Sequence, residues 1–134
     1  MSDKLSFHLV SPEREVFSGE VDQVVVPGSE GDFGVLPKHA PVMSAIRPGA
    51  IRVTDGGQER RIFVVGGFAD VTPAGLTILA EETIELADVD PGQLESDMKD
   101  AREDLADAKT DEAREAAQAK LARLEEIKAA KEAA

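Results

Sequence analysis

The sequence has no cysteine, no tryptophan and no tyrosine. Without Cys there is no disulfide, no thiolate nucleophile and no Cys-ligated zinc or iron–sulfur centre. Histidine is scarce: His8 and His39 are the only two, which excludes a multi-histidine metal site within one chain. Positive charge is in deficit. Fifteen Lys and Arg stand against 27 Asp and Glu, for a formal net charge of −12 and a pI near 4.5. Attraction to phosphate needs a basic face, so nucleic acid and anionic membrane surfaces are poor partners, and no direct lipid anchoring is expected. No apolar run approaches the ~20 residues of a membrane helix. The start, MSDKLSFHLV, is charged and lacks the apolar core of a signal peptide, which predicts a cytoplasmic-type chain. At 134 residues the length suits one domain, or one small domain with an appendage.

What is present falls into two halves that meet near residue 88. Residues 1–87 hold ten of the eleven Gly, six of the seven Pro and all five Phe, whereas residues 88–134 hold twelve Ala with one Gly and one Pro. Each half carries a charge of −6, so the division concerns secondary structure and not charge. In the first half Leu5, Phe7 and Leu9 alternate with Ser6, His8 and Val10, the period of a strand. Ser11-Pro12-Glu13-Arg14 reads as a turn. Val24-Val25-Val26 is a β-branched run, and Val42 to Ile46 is a second short apolar run. Asp55-Gly56-Gly57-Gln58 and Thr72-Pro73-Ala74-Gly75 each separate two apolar segments, the pattern of a hairpin. Short strands recurring every ~8–12 residues predict a β-sandwich or barrel.

The second half reads as helices. Asp90-Pro91-Gly92-Gln93 supplies an N-cap, a proline at the first helical position and a Gln where a capping box places one. Leu94, Met98, Ala101, Leu105 and Ala108 then form one apolar stripe. Lys109-Thr110-Asp111 interrupts it, with Thr110 or Asp111 able to cap a second helix. Ala113, Ala117, Leu121, Leu124 and Ile127 mark that helix. Together they predict an antiparallel two-helix hairpin. Its stripes are narrow and rich in alanine, which buries little area, so the hairpin should be marginal alone.

No catalytic constellation is legible, and no cofactor or metal is expected. There is no Gly-x-Ser-x-Gly elbow and no phosphate-binding loop ending in Lys-Ser/Thr. Asp32-Phe33-Gly34 imitates the kinase metal-binding tripeptide in a chain far too short for a kinase. His8 falls on the polar face of the first strand. The acidic helices read as a solvated face. The densest segment is Pro27-Gly28-Ser29-Glu30-Gly31-Asp32-Phe33-Gly34-Val35-Leu36-Pro37-Lys38-His39-Ala40-Pro41. Three glycines and three prolines in fifteen residues specify a backbone path. That path exposes Ser29, Glu30 and Asp32 at a turn tip, where binding residues are commonly carried.

These residues resemble the epsilon subunit family of bacterial F-type ATP synthases, called delta in mitochondria. The resemblance spans the whole chain. It rests on Phe17-Ser18-Gly19, the Pro27 to Pro41 segment, Arg47-Pro48-Gly49, Gly66-Gly67-Phe68 and Leu79-Ala80-Glu81. It implies a β-sandwich of about ten strands over residues 1–87, binding the gamma subunit and the c-ring. A C-terminal helical hairpin of regulatory character would occupy residues 88–134. It further implies a non-catalytic rotor subunit of the central stalk, coupling c-ring rotation through gamma to ATP synthesis. Such a subunit lies peripherally at the cytoplasmic face of the bacterial inner membrane. Carried over by position, Ser29, Glu30, Gly31, Asp32 and Phe33 match the c-ring contact, and His39, Ala40, Pro41 and Val42 match the gamma contact.

Many family members use the C-terminal helices as a brake against the alpha/beta catalytic head, and some hold the hairpin closed with ATP at an Ile/Leu-Asp-x-x-Arg-Ala motif. Here Asp90 is retained, but Gln93 replaces the Arg and Leu94 the Ala. Glutamine lacks the charged fork that grips phosphate, which predicts weak or absent ATP binding. The eight basic residues of this half are spread and not concentrated on one face, so strong inhibition is not expected. Two readings from other classes compete: a free-standing sandwich-and-hairpin adaptor for an unrelated protein, and a small sandwich hydrolase. The adaptor gives no reason for the Gly/Pro segment, and the hydrolase requires a clustered nucleophile and base that the sequence does not clearly offer.

Overall fold

Alternation along Leu5–Val10 (β1) turns Leu5, Phe7 and Leu9 inward, and all three are buried. The same rule builds the rest of the first 85 residues in the computed structural model, which describes residues 4–133. Nine further strands follow: β2 (Glu15–Val21), β3 (Gln23–Gly28), β4 (Gly31–Val35), β5 (Val42–Ile46), β6 (Gly49–Asp55), β7 (Gln58–Val64), β8 (Gly67–Thr72), β9 (Gly75–Ala80) and β10 (Thr83–Glu85).

Their pairing gives two layers of a β-sandwich. One has the order β4-β3-β6-β7-β10 and the other β5-β8-β9-β1-β2. The layers join where Gly28 at the end of β3 pairs with Ile46 at the end of β5. β1 and β9 run parallel, and the other pairs among the described residues are antiparallel. The expected hairpins form. β6 and β7 close through Gly56-Gly57, both at positive φ (58° and 80°), the geometry of a two-residue hairpin turn. β8 and β9 close at the Thr72–Gly75 pair.

The inward faces supply the core. Val24, Val26, Val35, Ile51, Val53, Ile62 and Val64 come from one layer, and Phe7, Leu9, Ile46, Val71, Leu76 and Ile78 are among those from the other. Truncating such a side chain to Ala costs ~2–5 kcal/mol, so this cluster is the main stabilising element of the sandwich. At the far edge Arg60 on β7 ties the layers together. Its guanidinium lies 5.6 Å from the ring centre of Phe17 on β2, and it pairs with Glu85 on β10 at 2.8 Å. Lys4 links three more segments by pairing with Asp22 (2.7 Å) and Asp55 (2.6 Å), while Asp22 also accepts the Gly56 N–H.

The remaining residues form a separate compact unit, Leu86–Ala134. A 3-10 turn at Leu86–Asp88 precedes α1 (Pro91–Asp107) and α2 (Asp111–Glu132). Asp90 caps α1, its carboxylate accepting from the Gly92 N–H at 2.9 Å, and Thr110 caps α2 by accepting from Ala113 N–H at 3.0 Å. The capping box does not form. Gln93 donates forward to Asp97 (2.8 Å) instead of back to the cap. Leu94, Met98 and Ala101 are buried on α1, and Ala117 and Ile127 on α2. Leu105, Ala108, Leu121 and Leu124 are half-buried, and Ala113, next to the connection, is exposed. The large anchors Leu94, Met98 and Ile127 therefore lie towards the open end of the hairpin, where Glu95 pairs with Lys128 at 2.7 Å. There Lys131 donates to the Leu86 carbonyl at 3.0 Å.

Candidate interaction surfaces

The Gly/Pro segment folds as a hairpin and not as an open loop. β3 and β4 pair from Val24–Val35 down to Gly28–Gly31, leaving Ser29-Glu30 as the turn. Gly28 is required by close approach: a Cβ there would stand 2.7 Å from the Gly31 carbonyl and 2.9 Å from the Phe33 ring. The turn is stitched to β5, because Ser29 N–H donates to Ala45 O (2.9 Å) and Arg47 N–H to Pro27 O (3.0 Å).

Of the five residues matched to a c-ring contact, Ser29 and Glu30 are exposed at the turn, with Gly31 beside them. Asp32 is exposed too, but its carboxylate is paired with Arg47. Phe33 is half-buried and packs against the core. Glu30 is thus the acid at this tip that the fold leaves to solvent.

Of the four residues matched to a gamma contact, His39, Ala40 and Pro41 lie on the connection from β4 to β5, and Val42 is the first residue of β5. Leu36 O accepts from His39 N–H at 3.1 Å, closing a turn in which Lys38 takes φ 65°. The His39 ring donates from Nδ1 to the Ala40 carbonyl at 2.6 Å. Ala40 and Pro41 are exposed, and Val42 opens β5 with 39% of its surface in solvent.

A further surface becomes visible only once the strands are registered. Ala45 pairs with Phe68, Phe68 with Leu79, and Leu79 with Val10. These four residues make a continuous apolar row across β5, β8, β9 and β1. The neighbouring residues Ala69 and Ile78 point into the core, so the row points outward. Phe68 and Leu79 are each 57% exposed. Met43, two residues before Ala45 on the same strand face and 69% exposed, extends the apolar surface. The outward phase of Phe68 and Leu79 could have been read from their offset against Ala69-Val71 and Leu76-Ile78.

The hydrolase reading finds an exposed polar cluster around His8. His8 Nδ1 lies 3.0 Å from Ser18 Oγ and 3.5 Å from Glu15, while Ser6 Oγ is 3.5 Å from Nε2. A nucleophile–His–acid relay puts the nucleophile and the acid on opposite ring nitrogens. Here Ser6 and Glu15 take opposite ring nitrogens, but each only at 3.5 Å, and the shortest contact, Ser18, sits on the nitrogen that faces Glu15.

On the hairpin, the residues matched to the nucleotide motif are turned to local duties. Asp90 caps α1, Gln93 is engaged by Asp97 and Leu94 is buried. The ion pair shifts both of its members. Hydrogen bonding to Lys128 and its charge hold the Glu95 carboxyl below the usual carboxylate range, and Glu95 raises the Lys128 ammonium in return.

A β-sandwich with a solvent-facing apolar row, followed by a capped helical hairpin, defines a two-unit protein. Residues 4–86 match the family described as ATP synthase, Delta/Epsilon chain, beta-sandwich domain, and the chain belongs to that family. It is 63% identical over 129 residues to an ATP synthase epsilon chain of Maricaulis maris, covering 96% of this chain and 97% of that one. With an ATP synthase epsilon chain of Parvibaculum lavamentivorans it shares 57% identity over 129 residues, 96% and 98% of the two chains. The fold also matches a chain in the Euglena gracilis mitochondrial ATP synthase structure (OSCP/F1/c-ring). The TM-score is 0.79 at 24% identity, over 95% of this chain and 81% of that one. A chain in the Tetrahymena thermophila mitochondrial ATP synthase central stalk/c-ring structure matches with a TM-score of 0.66 at 15% identity, over 96% and 97%.

Proposed function

We propose that this chain is a non-catalytic subunit of the rotor of a proton-translocating F-type ATP synthase. Its sandwich clasps the gamma subunit and rests on the c-ring, coupling ring rotation to ATP formation in the alpha/beta head. The complex holds it peripherally at the cytoplasmic face of the bacterial inner membrane; none of the described helices is long and apolar enough to cross it. The observation that carries this reading is the outward apolar row Ala45–Phe68–Leu79–Val10 in a domain of this family. Contiguous apolar surface on a solvent face marks a docking site. Gamma takes that row together with Met43 and residues His39–Val42. The Ser29-Glu30 turn, with Gly31, Asp32 and Phe33 behind it, faces polar loops of the c-ring, to which Glu30 offers a negative charge.

The hairpin of residues 88–134 is the unit that reaches the alpha/beta head. Its ion pair and the Lys131 bond to Leu86 oppose opening, and its role in hydrolysis is a weak inhibition.

Mixing the purified chain with an alpha/beta/gamma head that lacks its own small stalk subunit tests this. A version truncated after residue 88 runs alongside, and co-elution and ATP hydrolysis are followed. Both forms co-elute with gamma on this reading, and only the full chain slows hydrolysis, by a small factor. If both bind and neither slows hydrolysis, the coupling role stands and the brake does not. Absence of co-elution for both forms overturns the proposal in favour of the adaptor reading.

A further inference from the structure

The described residues include two methionines, at opposite extremes of exposure. Met98 is 2% exposed inside the hairpin, and Met43 is 69% exposed on β5. Met43 lies opposite Asp70 on β8 and diagonal to Phe68, two residues from the apolar row. Apart from its three methionines, Met1 among them, the chain offers an oxidant few targets, since it has no Cys, Trp or Tyr. A thioether in apolar contact fills irregular gaps well, whereas its sulfoxide is polar and chiral and disrupts such contacts.

We propose that Met43 is an oxidation-sensitive element of the gamma-docking face, such that its sulfoxide in the unassembled chain blocks docking. The inference rests on the reading of that face given above. The oxidant is a peroxide. The Met43 sulfur attacks one peroxide oxygen, an S–O bond forms and the O–O bond breaks. The second oxygen takes the proton and leaves as water when the reagent is hydrogen peroxide. Sulfur loses two electrons and the peroxide gains them. Met98 is shielded by burial, and Met43 becomes shielded once a partner covers the row. The modification therefore acts before assembly and marks a chain that is folded but cannot join. Methionine sulfoxide reductases reverse it.

The experiment treats the full free chain with hydrogen peroxide and maps one-oxygen mass gains by peptide. Affinity for the alpha/beta/gamma head is then measured before and after treatment. Met43 should gain oxygen well before Met98, and affinity should fall about tenfold or more. Sulfoxide reductase should restore it. The affinity of Met43→Leu, whatever its starting value, should not respond to peroxide. Full conversion at Met43 with unchanged affinity overturns the proposal, as does an equal peroxide effect in Met43→Leu. Phe68→Asp separates this failure from failure of the docking face. If Phe68→Asp binds like the wild type, the face itself is wrongly assigned. If it does not bind while the Met43 sulfoxide does, only the Met43 proposal falls.

Discussion

Phe68 on β8 lies directly opposite Leu79 on β9, and both side chains point to solvent, each 57% exposed. A cross-strand apolar pair contributes little stability when water covers it, so its value lies in being covered. Phe68→Asp should leave the thermal midpoint within a few degrees of wild type. It should weaken binding to the gamma-containing head at least tenfold, ~1.4 kcal/mol. Titration by calorimetry together with a thermal melt checks both halves.

Gly67, beside that pair, is the opposite case. A Cβ there would stand 1.9 Å from the Leu79 carbonyl oxygen, at φ 137°. Both the contact and the dihedral exclude a side chain. Gly67→Ala should cost about 2–4 kcal/mol and lower the thermal midpoint by ~10 °C or more. Gly31→Ala is the control: φ is 135°, but nothing lies within 4 Å of the added carbon. It should cost less, and equal losses in the two melts would show that the carbonyl clash is unimportant.

Charge reversal at the hairpin tip separates two acids. Glu30 is exposed, whereas Asp32 is paired with Arg47. Glu30→Lys with Asp32→Lys should leave the chain folded and reduce proton pumping per ATP hydrolysed in reconstituted vesicles. Most of that loss should already appear with Glu30→Lys alone, because Asp32 is engaged within the fold. Unchanged pumping in a normally folded double variant would remove the c-ring role from this turn.

The Glu95–Lys128 pair predicts acid sensitivity in the hairpin. The Glu95 carboxyl is held below its ordinary value of 4.5, first by the Lys128 hydrogen bond and then by its charge. A depressed folded-state value means the contribution is present above the ordinary value and is lost as pH falls through the lowered one. The pair is exposed, so the effect is small and weakens with salt. Glu95→Gln should loosen the helices slightly at neutral pH, and the gap to wild type should close in acid. Melts followed by helical circular dichroism at both pH values read this out.

Nucleotide binding should be weak or absent. The Asp90 carboxylate accepts from the α1 backbone, and Gln93 donates to Asp97. A phosphate arriving at this motif would meet no Arg at position 93 and would have to take Asp90 and Gln93 from their present bonds. Calorimetric titration with ATP to ~1 mM, where binding is worth about 4 kcal/mol, should give no saturable heat. Tight saturable binding would show that the departures from the motif are tolerated.

Local chemistry made much of this protein legible before any coordinates. Period-2 alternation placed β1, Gly-Gly and Pro-Ala-Gly marked two hairpins, and Asp90 and Thr110 each cap the helix they precede. These features depend on residues a few positions apart, and a short window contains everything they need. The Gln93 capping box failed within that range because Asp97, one turn on, competes for the same amide. Register lies beyond any window. The parallel pairing of β1 with β9 joins segments about seventy positions apart. That pairing, with the two beside it, aligns Val10, Leu79, Phe68 and Ala45 into one surface. The Arg47–Asp32 and Glu95–Lys128 pairs likewise needed the chain brought back on itself. Near neighbours along the chain set most of the strands, both helices and the turns between them, whereas β4 within the Gly/Pro segment and the short β10 are strands through their pairing with β3 and β7. Which apolar residues face water together, and which acids are already paired, follows from how the distant strands and the two helices meet. Both depend on contacts between segments far apart in the chain.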